Sequence, residues 1–339
     1  MAIKVGVIGY GYWGPNLARN FSQIDSTELY YVSDLDSSKT DQVKKIYPNV
    51  KTSADYKDIL NDPDVDAIVI AVPVAKHFEI AKEGLLHGKN VLIEKPMTAS
   101  VKEAEELVEL AKSKNKVLMV DHTFEYELAI DRVKEIIESG ELGDIFYFRA
   151  DWLNLGLLQP DVNVIWDLAT HIVSIISYVS KMEPVSLSAN ASAFIRGEIP
   201  EVANIHLKYP KGITAYIMVS WLEPRKTRSI TIAGSKKMLV YDLTNEEEKI
   251  KIYDKGVDLA GNIDNVRELK VNYRYGDIYS PNVKKVEPLS SMCSHFADCI
   301  ADKKEPRSSG LSGLNVVRIL EASQKSLDNG GKEVILKDD

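Results

Sequence analysis

The chain has 339 residues, enough for two domains of ordinary size, each with its own core. Hydrophobic residues at 45% and charged residues at 27% exclude a disordered chain, a collagen-like repeat and a disulfide scaffold. Forty-two Lys and Arg against 50 Asp and Glu leave a formal charge of −8, which argues against nucleic acid as the main partner, since phosphate binding needs a basic field. Cys293 and Cys299 lack the spacing and partners of a zinc site and read as buried thiols, so no metal site is expected. MAIKVGVIG runs into a strand pattern without an apolar leader region, and no apolar run approaches the ~20 residues of a membrane helix. A cytoplasmic protein with no membrane partner is expected, which suits the low cysteine content.

Five short apolar runs, at 3–8, 29–32, 67–72, 91–93 and 117–120, read as strands buried on both faces of a parallel sheet. Helical patterns separate them. One covers 76–87 and ends at Gly88; another carries Val101, Ala104, Leu107, Val108 and Ala111 on one face, with Ser100 and Glu103 as a capping box. This alternation predicts a doubly wound α/β domain over 1–121. Beyond Asp121 the pattern changes to a helix over 128–138, a strand over 145–153, a helix over 168–179 and consecutive strands from 185 to 252. That predicts an α+β domain over 122–339 built on a large, mostly antiparallel open sheet. Residues 254–288, polar and rich in Tyr and Asp, show no clear period and are expected to be irregular; helices near 289–301 and 314–327 follow.

Gly9-Tyr10-Gly11-Tyr12-Trp13-Gly14 directly follows the first predicted strand and opens a helix. Gly9 permits the tight turn, Gly11 lets backbone approach a pyrophosphate, and Gly14 allows close helix–strand packing. The helix N-terminus then offers free N–H groups to phosphates. Asp34 ends the next strand, 20 residues after Gly14, where a carboxylate accepts from ribose hydroxyls and repels a 2′-phosphate. NAD is thereby favoured, while Lys39 leaves NADP open. Asp36 reads as a helix cap. The ends of the later strands bring Ala71-Val72-Pro73 with His77, Glu94-Lys95-Pro96 and Asp121-His122 to one edge, where ligands sit in such sheets. Lys95, restricted by the following proline, reads either as a lysine holding a substrate hydroxyl or as a surface lysine paired with Glu94. Asp167 and His171, four apart, share a helix face and read either as a carboxylate-assisted general base or as a helix cap with a half-buried histidine. His87, His206 and His295 read as structural.

In order and spacing, the glycine loop, Glu94-Lys95-Pro96 and Asp167-Leu168-Ala169-Thr170-His171 resemble the glucose–fructose oxidoreductase / inositol dehydrogenase / rhizopine-catabolism (Gfo/Idh/MocA) family over nearly the whole chain. The resemblance implies a Rossmann domain, a second domain with a large open sheet, and NAD(P)-dependent hydride transfer at a hydroxyl-bearing carbon of a sugar or cyclitol. It implies Lys95 as the relay lysine, His171 as acid/base and Asp167 as its partner. Cofactor contacts are expected from Gly9, Tyr10, Gly11, Tyr12, Trp13, Gly14, Asp34, Ala71, Val72, Pro73, His77, Glu94, Lys95 and His122. It also implies a homo-oligomer through the open sheet. The segments GYGYWGPNLARNF, LNLGLLQPDVNVIWDLATHIVS and VSWLEPRKTRSITIAGSKKM look like a prokaryotic nucleotide-sugar subgroup that includes UDP-N-acetylglucosamine 3-dehydrogenases and related 3-keto-sugar enzymes. Two features depart from the pattern. Asn163-Val164-Ile165-Trp166 stands where many relatives have a glycine pair, and Ser174 where they have an acidic residue. The alternatives are a dehydrogenase of a free sugar or inositol, an NAD-dependent glycosidase without net redox change, and a non-catalytic NAD-binding protein. Arg225, Lys226 and Arg228 read either as partners of a diphosphate or as an exposed basic face.

Overall fold

The computed structural model describes residues 2–159, 162–260 and 270–336, with only the backbone of 259, 260 and 270. The chain divides into two compact units, Met1–Glu127 with Val286–Glu321, and Leu128–Lys285 with the residues from Ala322 on.

The first unit is a parallel sheet with order β3-β2-β1-β4-β5-β6. Its elements are β1 (Ile3–Ile8), α1 (Gly14–Gln23), β2 (Thr27–Ser33), α2 (Ser37–Ile46), β3 (Lys51–Ser53), α3 (Lys57–Asn61), β4 (Ala67–Ile70), α4 (His77–Leu86), β5 (Asn90–Glu94), α5 (Val101–Lys114) and β6 (Leu118–Asp121). β4 is buried at every residue, as expected of a strand covered on both faces. The capping chemistry is local. Asp36 accepts from the Ser38 N–H at 2.9 Å to start α2, and Ser100 accepts from Glu103 N–H at 3.3 Å to start α5. The sequence pattern shows no β3, because Lys-Thr-Ser on an edge needs no apolar run; it pairs with β2 from Tyr31 to Ser33. The chain order reverses between β1 and β4, and this opens a crevice at the carboxyl ends of the strands.

The second unit holds α6 (Leu128–Glu138), β7 (Ile145–Leu155), α7 (Thr170–Ser180), β8 (Ser186–Ser192), β9 (Val202–Lys208), β10 (Thr214–Ser220), β11 (Leu222–Gly234), β12 (Met238–Asp242), β13 (Ile250–Ala260) and β14 (Lys270–Tyr279). Helices α8 (Pro288–Asp302) and α9 (Gly310–Asp328) follow, and β15 (Val334–Ile335) ends the described chain. The nine strands run β14-β13-β12-β11-β7-β10-β9-β8-β15, antiparallel except for β10 beside β7. One face carries the core, with Phe148, Ala150 and Trp152 of β7, Ile217 and Val219 of β10, and the apolar side of α7. The other face is open. Tyr147 and Tyr216 meet edge to face there, and His206 stacks on Tyr216 at 4.7 Å.

Two expectations are corrected. The predicted boundary at 121/122 assigns everything later to one domain, yet α8 and the first part of α9 belong to the first unit. Leu289, Met292, Cys293 and Phe296 complete the core around Leu17, Phe21, Val43 and Met119, with Phe296 edge-on to Phe21 at 6.2 Å. Each large side chain buried there contributes roughly 1.5–3 kcal/mol, enough to hold the helix pair to that sheet. Residues 254–288 are also less irregular than expected. β13 and β14 pair antiparallel, with Tyr253 opposite Ile278 and Val257 opposite Tyr273. The pairing is carried by charge as well as by apolar contact, because Arg274 donates to Asp254 at 2.9 Å and to Asp258 at 2.8 Å. Gly256 makes room, since a Cβ there would lie 2.5 Å from the Arg274 guanidinium. Val271, Tyr273 and Tyr275 alternate along β14 but stay exposed, so their period does not mark a buried face. Residues 261–269 of that stretch lie outside the described residues.

Candidate active site

In the first unit the glycine loop lies between β1 and α1, at the crevice. Gly9 has φ +94, and a Cβ there would sit 2.4 Å from the Ala71 carbonyl oxygen. A Cβ at Gly14 would sit 2.1 Å from the Gly9 carbonyl oxygen. Gly11 differs, because a Cβ there meets nothing within 4 Å. The protein's own packing therefore does not require glycine at 11. The space beside it is open at the N-terminus of α1, which fits an NAD-binding Rossmann fold. Asp34 follows β2; its Oδ2 accepts from Tyr10 N–H at 2.6 Å and its Oδ1 from Asp36 N–H at 2.9 Å. These two bonds fix the carboxylate beside the loop and leave each oxygen a further lone pair. Tyr12 is 85% exposed, whereas the Tyr10 ring is buried, so Tyr10 offers the loop its backbone only.

The far half of the crevice carries the charged cluster. Glu94 ends β5 directly opposite Asp121 at the end of β6. Trp13 Nε1 donates to Asp121 Oδ2 at 3.0 Å and Thr123 N–H to Oδ1 at 3.1 Å, so the glycine loop is tied to β6. Burial, with Asp121 beside it, pushes the Glu94 carboxyl well above the usual range, and Lys95 offsets only part of this. Glu94 Oε2 accepts from the Lys95 N–H at 3.2 Å. The Lys95–Pro96 peptide is cis. His77, 1% exposed, lies between two carbonyls, with Nε2 2.8 Å from Val72 O and Nδ1 2.9 Å from Pro96 O. Both ring nitrogens face backbone, so His77 positions the chain at Val72 and Pro96 and does not offer itself to a ligand. His122 is also 1% exposed, and neither ring nitrogen has a hydrogen-bond partner among the described residues. Burial and the Lys95 charge bring its pKa down to about 3.

In the second unit Asp167 lies in a π-turn, Ile165–Ala169, immediately before α7, and not with His171 on one face of a regular helix as the four-residue spacing predicts. The wider turn is a local insertion of the kind found at functional positions. Asn163 starts it by accepting from Ile165 N–H at 3.0 Å and Trp166 N–H at 3.3 Å, which accounts for asparagine at that place. Ser174 is buried and donates to the His171 carbonyl at 3.0 Å. His171 lies in the first turn of α7, with its ring 5.9 Å from that of Trp152. The Arg228 guanidinium covers Trp152 at 4.9 Å. Trp221 Nε1 donates to Asp167 Oδ2 at 3.0 Å. Arg225 and Lys226 are exposed, but Arg228 is not part of a basic face. It is buried, donates to the Leu153 and Thr227 carbonyls at 2.9 Å and to Asn154, and its pKa falls to about 10 through burial, with Asp167 acting in the opposite sense. Trp152 lies in no motif, and Asn154 and Trp221, although inside the segments quoted above, have no role assigned there; a lone Trp at a strand end carries no sequence signal of its own.

Residues 3–122 match the oxidoreductase family with an NAD-binding Rossmann fold, and residues 130–240 match the GFO/IDH/MocA C-terminal domain. The chain belongs to the Gfo/Idh/MocA family. It is 26% identical to scyllo-inositol 2-dehydrogenase (NADP(+)) IolW of Bacillus subtilis, over 96% of this chain and 93% of that one. It is 30% identical to an uncharacterized oxidoreductase, YdgJ, of Escherichia coli, over 74% of each. UDP-N-acetylglucosamine 3-dehydrogenase GnnA from Acidithiobacillus ferrooxidans shares the fold, with TM-score 0.81 and 22% identity over 97% of this chain and 98% of that one. As a Gfo/Idh/MocA protein the chain is an NAD(P)-dependent oxidoreductase. No helix among the described residues is long and apolar enough to cross a membrane, and no cluster of metal ligands occurs among them.

Proposed function

We propose that the protein moves a hydride between NAD(P) and a hydroxyl-bearing ring carbon of a sugar, with a nucleotide sugar as the substrate class. The observation that carries the reading is the placement of Asp167 and His171 across the junction of a π-turn and α7, with the Trp152 ring 5.9 Å from His171 and Trp221 bonded to Asp167. His171 takes the hydroxyl proton on oxidation and returns it on reduction, and Asp167 favours its imidazolium. Lys95 holds the same oxygen and stabilises charge on it as the carbonyl forms. Bound nicotinamide supplies the hydride acceptor or donor. The Asp34 carboxylate, with no guanidinium following it at Leu35, Asp36 or Ser37, favours NAD over NADP.

The nucleotide-sugar class is supported by the walls near Trp221. Leu155 at the end of β7 and Leu157, Phe194 and Ile195 in the two loops that reach Trp221 are exposed, and such apolar surface suits an acyl group or a base better than a bare polyol. Inositol is the second reading, favoured by the B. subtilis relative and by a myo-inositol 2-dehydrogenase of Thermotoga maritima, 22% identical over 79% of this chain. A homo-oligomer through the open sheet face, where Tyr147 and Tyr216 are exposed, accords with these readings. The test is a screen of UDP-sugars, free sugars and inositols for nicotinamide reduction by the wild type and by His171→Ala. Turnover is expected with a UDP-sugar and is expected to vanish in the variant while NAD binding persists. Unchanged turnover in His171→Ala refutes the assignment, and activity confined to inositols selects the second reading.

A further inference from the structure

Trp221 sits between β10 and β11, and its backbone is pinned on both sides. Its N–H donates to the Glu201 carbonyl at 2.9 Å, and its carbonyl accepts from Gly156 N–H at 3.0 Å. The ring is held as firmly. A Cβ on Gly156 would lie 2.5 Å from Asn154 Nδ2 and 2.9 Å from Trp221 Cδ1, so a side chain there crowds the indole. The Arg196 guanidinium covers the ring at 5.3 Å. Arg196 is fixed in turn by Glu201, whose side chain is fully buried and also accepts from the N–H groups of Phe194 at 2.7 Å and Arg196 at 3.2 Å. The one polar atom of this 1% exposed indole is spent on Asp167 Oδ2. A buried indole N–H needs an acceptor, but any backbone carbonyl would have served. Here it meets the carboxylate of a π-turn, whose backbone is not locked by the regular helical ladder.

We infer that Trp221 is the positioning residue of the proposed acid–base pair, fixing the Asp167 carboxylate so that its charge is presented to His171 in one geometry. The inference rests on the reading of Asp167 and His171 given above and adds a residue to it. A charge-assisted bond from a preorganised donor holds orientation without the entropy loss that a flexible partner brings. Gly156, Arg196 and Glu201 act one step further out, by holding the indole.

The experiment is steady-state kinetics of alcohol oxidation, on the substrate found by the screen, for Trp221→Phe, Gly156→Ala, Asp167→Asn and the double variants carrying Asp167→Asn. Phenylalanine keeps most of the ring and removes the N–H. Trp221→Phe is expected to lower kcat about tenfold, the scale of one hydrogen bond to a charged group, with KM and the NAD Kd within about twofold. Gly156→Ala removes no functional group and tilts the indole, so a smaller loss in kcat alone is expected. In the Asp167→Asn background both changes are expected to be nearly silent, because the carboxylate they position is gone. A Trp221→Phe enzyme with unchanged kcat, or a loss of the same size in the Asp167→Asn background, overturns the inference. A merely structural role predicts that second outcome. Persisting turnover in His171→Ala is a separate result and removes the reading beneath it.

Discussion

The buried imidazole of His122 predicts a specific loss of stability in mild acid. Its pKa lies at about 3 in the folded protein because burial penalises the charged ring and Lys95 repels it, against 6.5 in the unfolded chain. The folded state therefore refuses a proton that the unfolded state accepts between these two values. Stability is unaffected above pH 6.5 and falls as the pH drops below it. At pH 7.5 the contribution is near zero. At pH 5.0 the unfolded ring is almost fully protonated and the folded ring is not, and 1.5 units at ~1.36 kcal/mol each give about 2 kcal/mol. His77 and His295 are also shifted down by burial and add losses of the same sign, so the wild-type slope alone does not isolate His122. His122→Leu does. Neither ring nitrogen has a hydrogen-bond partner among the described residues, so leucine strands no donor or acceptor. Urea unfolding at pH 7.5 and 5.0 is expected to show the wild type losing about 2 kcal/mol more than His122→Leu over that interval. Equal losses in the two proteins, or an NMR titration of the His122 ring with a midpoint near 6, would refute the account.

Asp34→Ala is expected to shrink the preference for NAD over NADP by about tenfold, since it removes both a ribose acceptor and the charge facing a 2′-phosphate. Isothermal titration with the two cofactors measures the ratio, and an unchanged ratio would show that Asp34 serves only the Tyr10 and Asp36 backbone. Phe296→Ala is expected to cost about 3–5 kcal/mol, because it empties a fully buried site between α8 and the Phe21 side of the sheet. Loss of NAD binding at a lower urea concentration than in the wild type would report it, and a loss under about 1 kcal/mol would refute the placement of α8 in that core.

Much of the first unit is legible from sequence because its strands are buried on both faces. Unbroken apolar runs such as 67–70 and 91–93 declare themselves, and the glycines at 9 and 14 are required by contacts a Cβ would violate. β3 escapes because an edge strand of Lys-Thr-Ser owes its place to pairing with β2, not to burial. The β13–β14 ribbon escapes for a related reason: its alternating Tyr and Val side chains remain exposed, and Arg274 with its two aspartates supplies contacts that no periodicity reveals. The return of α8 to the first unit is invisible because an apolar helix face, such as Leu289, Met292, Cys293 and Phe296, does not say which sheet it will cover. At the site the same division holds. Motifs name Lys95, Asp167 and His171, but the neighbours that set their surroundings come from separate places in the chain.

Those neighbours share a physical logic. At three places a ring whose role no motif shows holds a residue at the strand ends or in the π-turn. His77 lies between the carbonyls of Val72 and Pro96, Trp13 holds Asp121 beside Glu94, and Trp221 holds Asp167. All three are aromatic or heteroaromatic rings, stiff and with few rotatable bonds, and each directs a ring N–H at its acceptor, His77 and Trp221 from a buried position and Trp13 from a half-buried one. A stiff buried donor fixes an acceptor with little entropy left to lose, whereas a lysine or glutamine in the same place would have to be immobilised first. On the function proposed above, the reacting groups stay constant while the segments beyond them, 156–159 and 193–196, set what is recognised. On that logic, substitutions at Leu157 or Phe194 should change KM among substrates and leave kcat for the best one nearly intact, while substitutions at His77, Trp13 or Trp221 should lower turnover for every substrate alike.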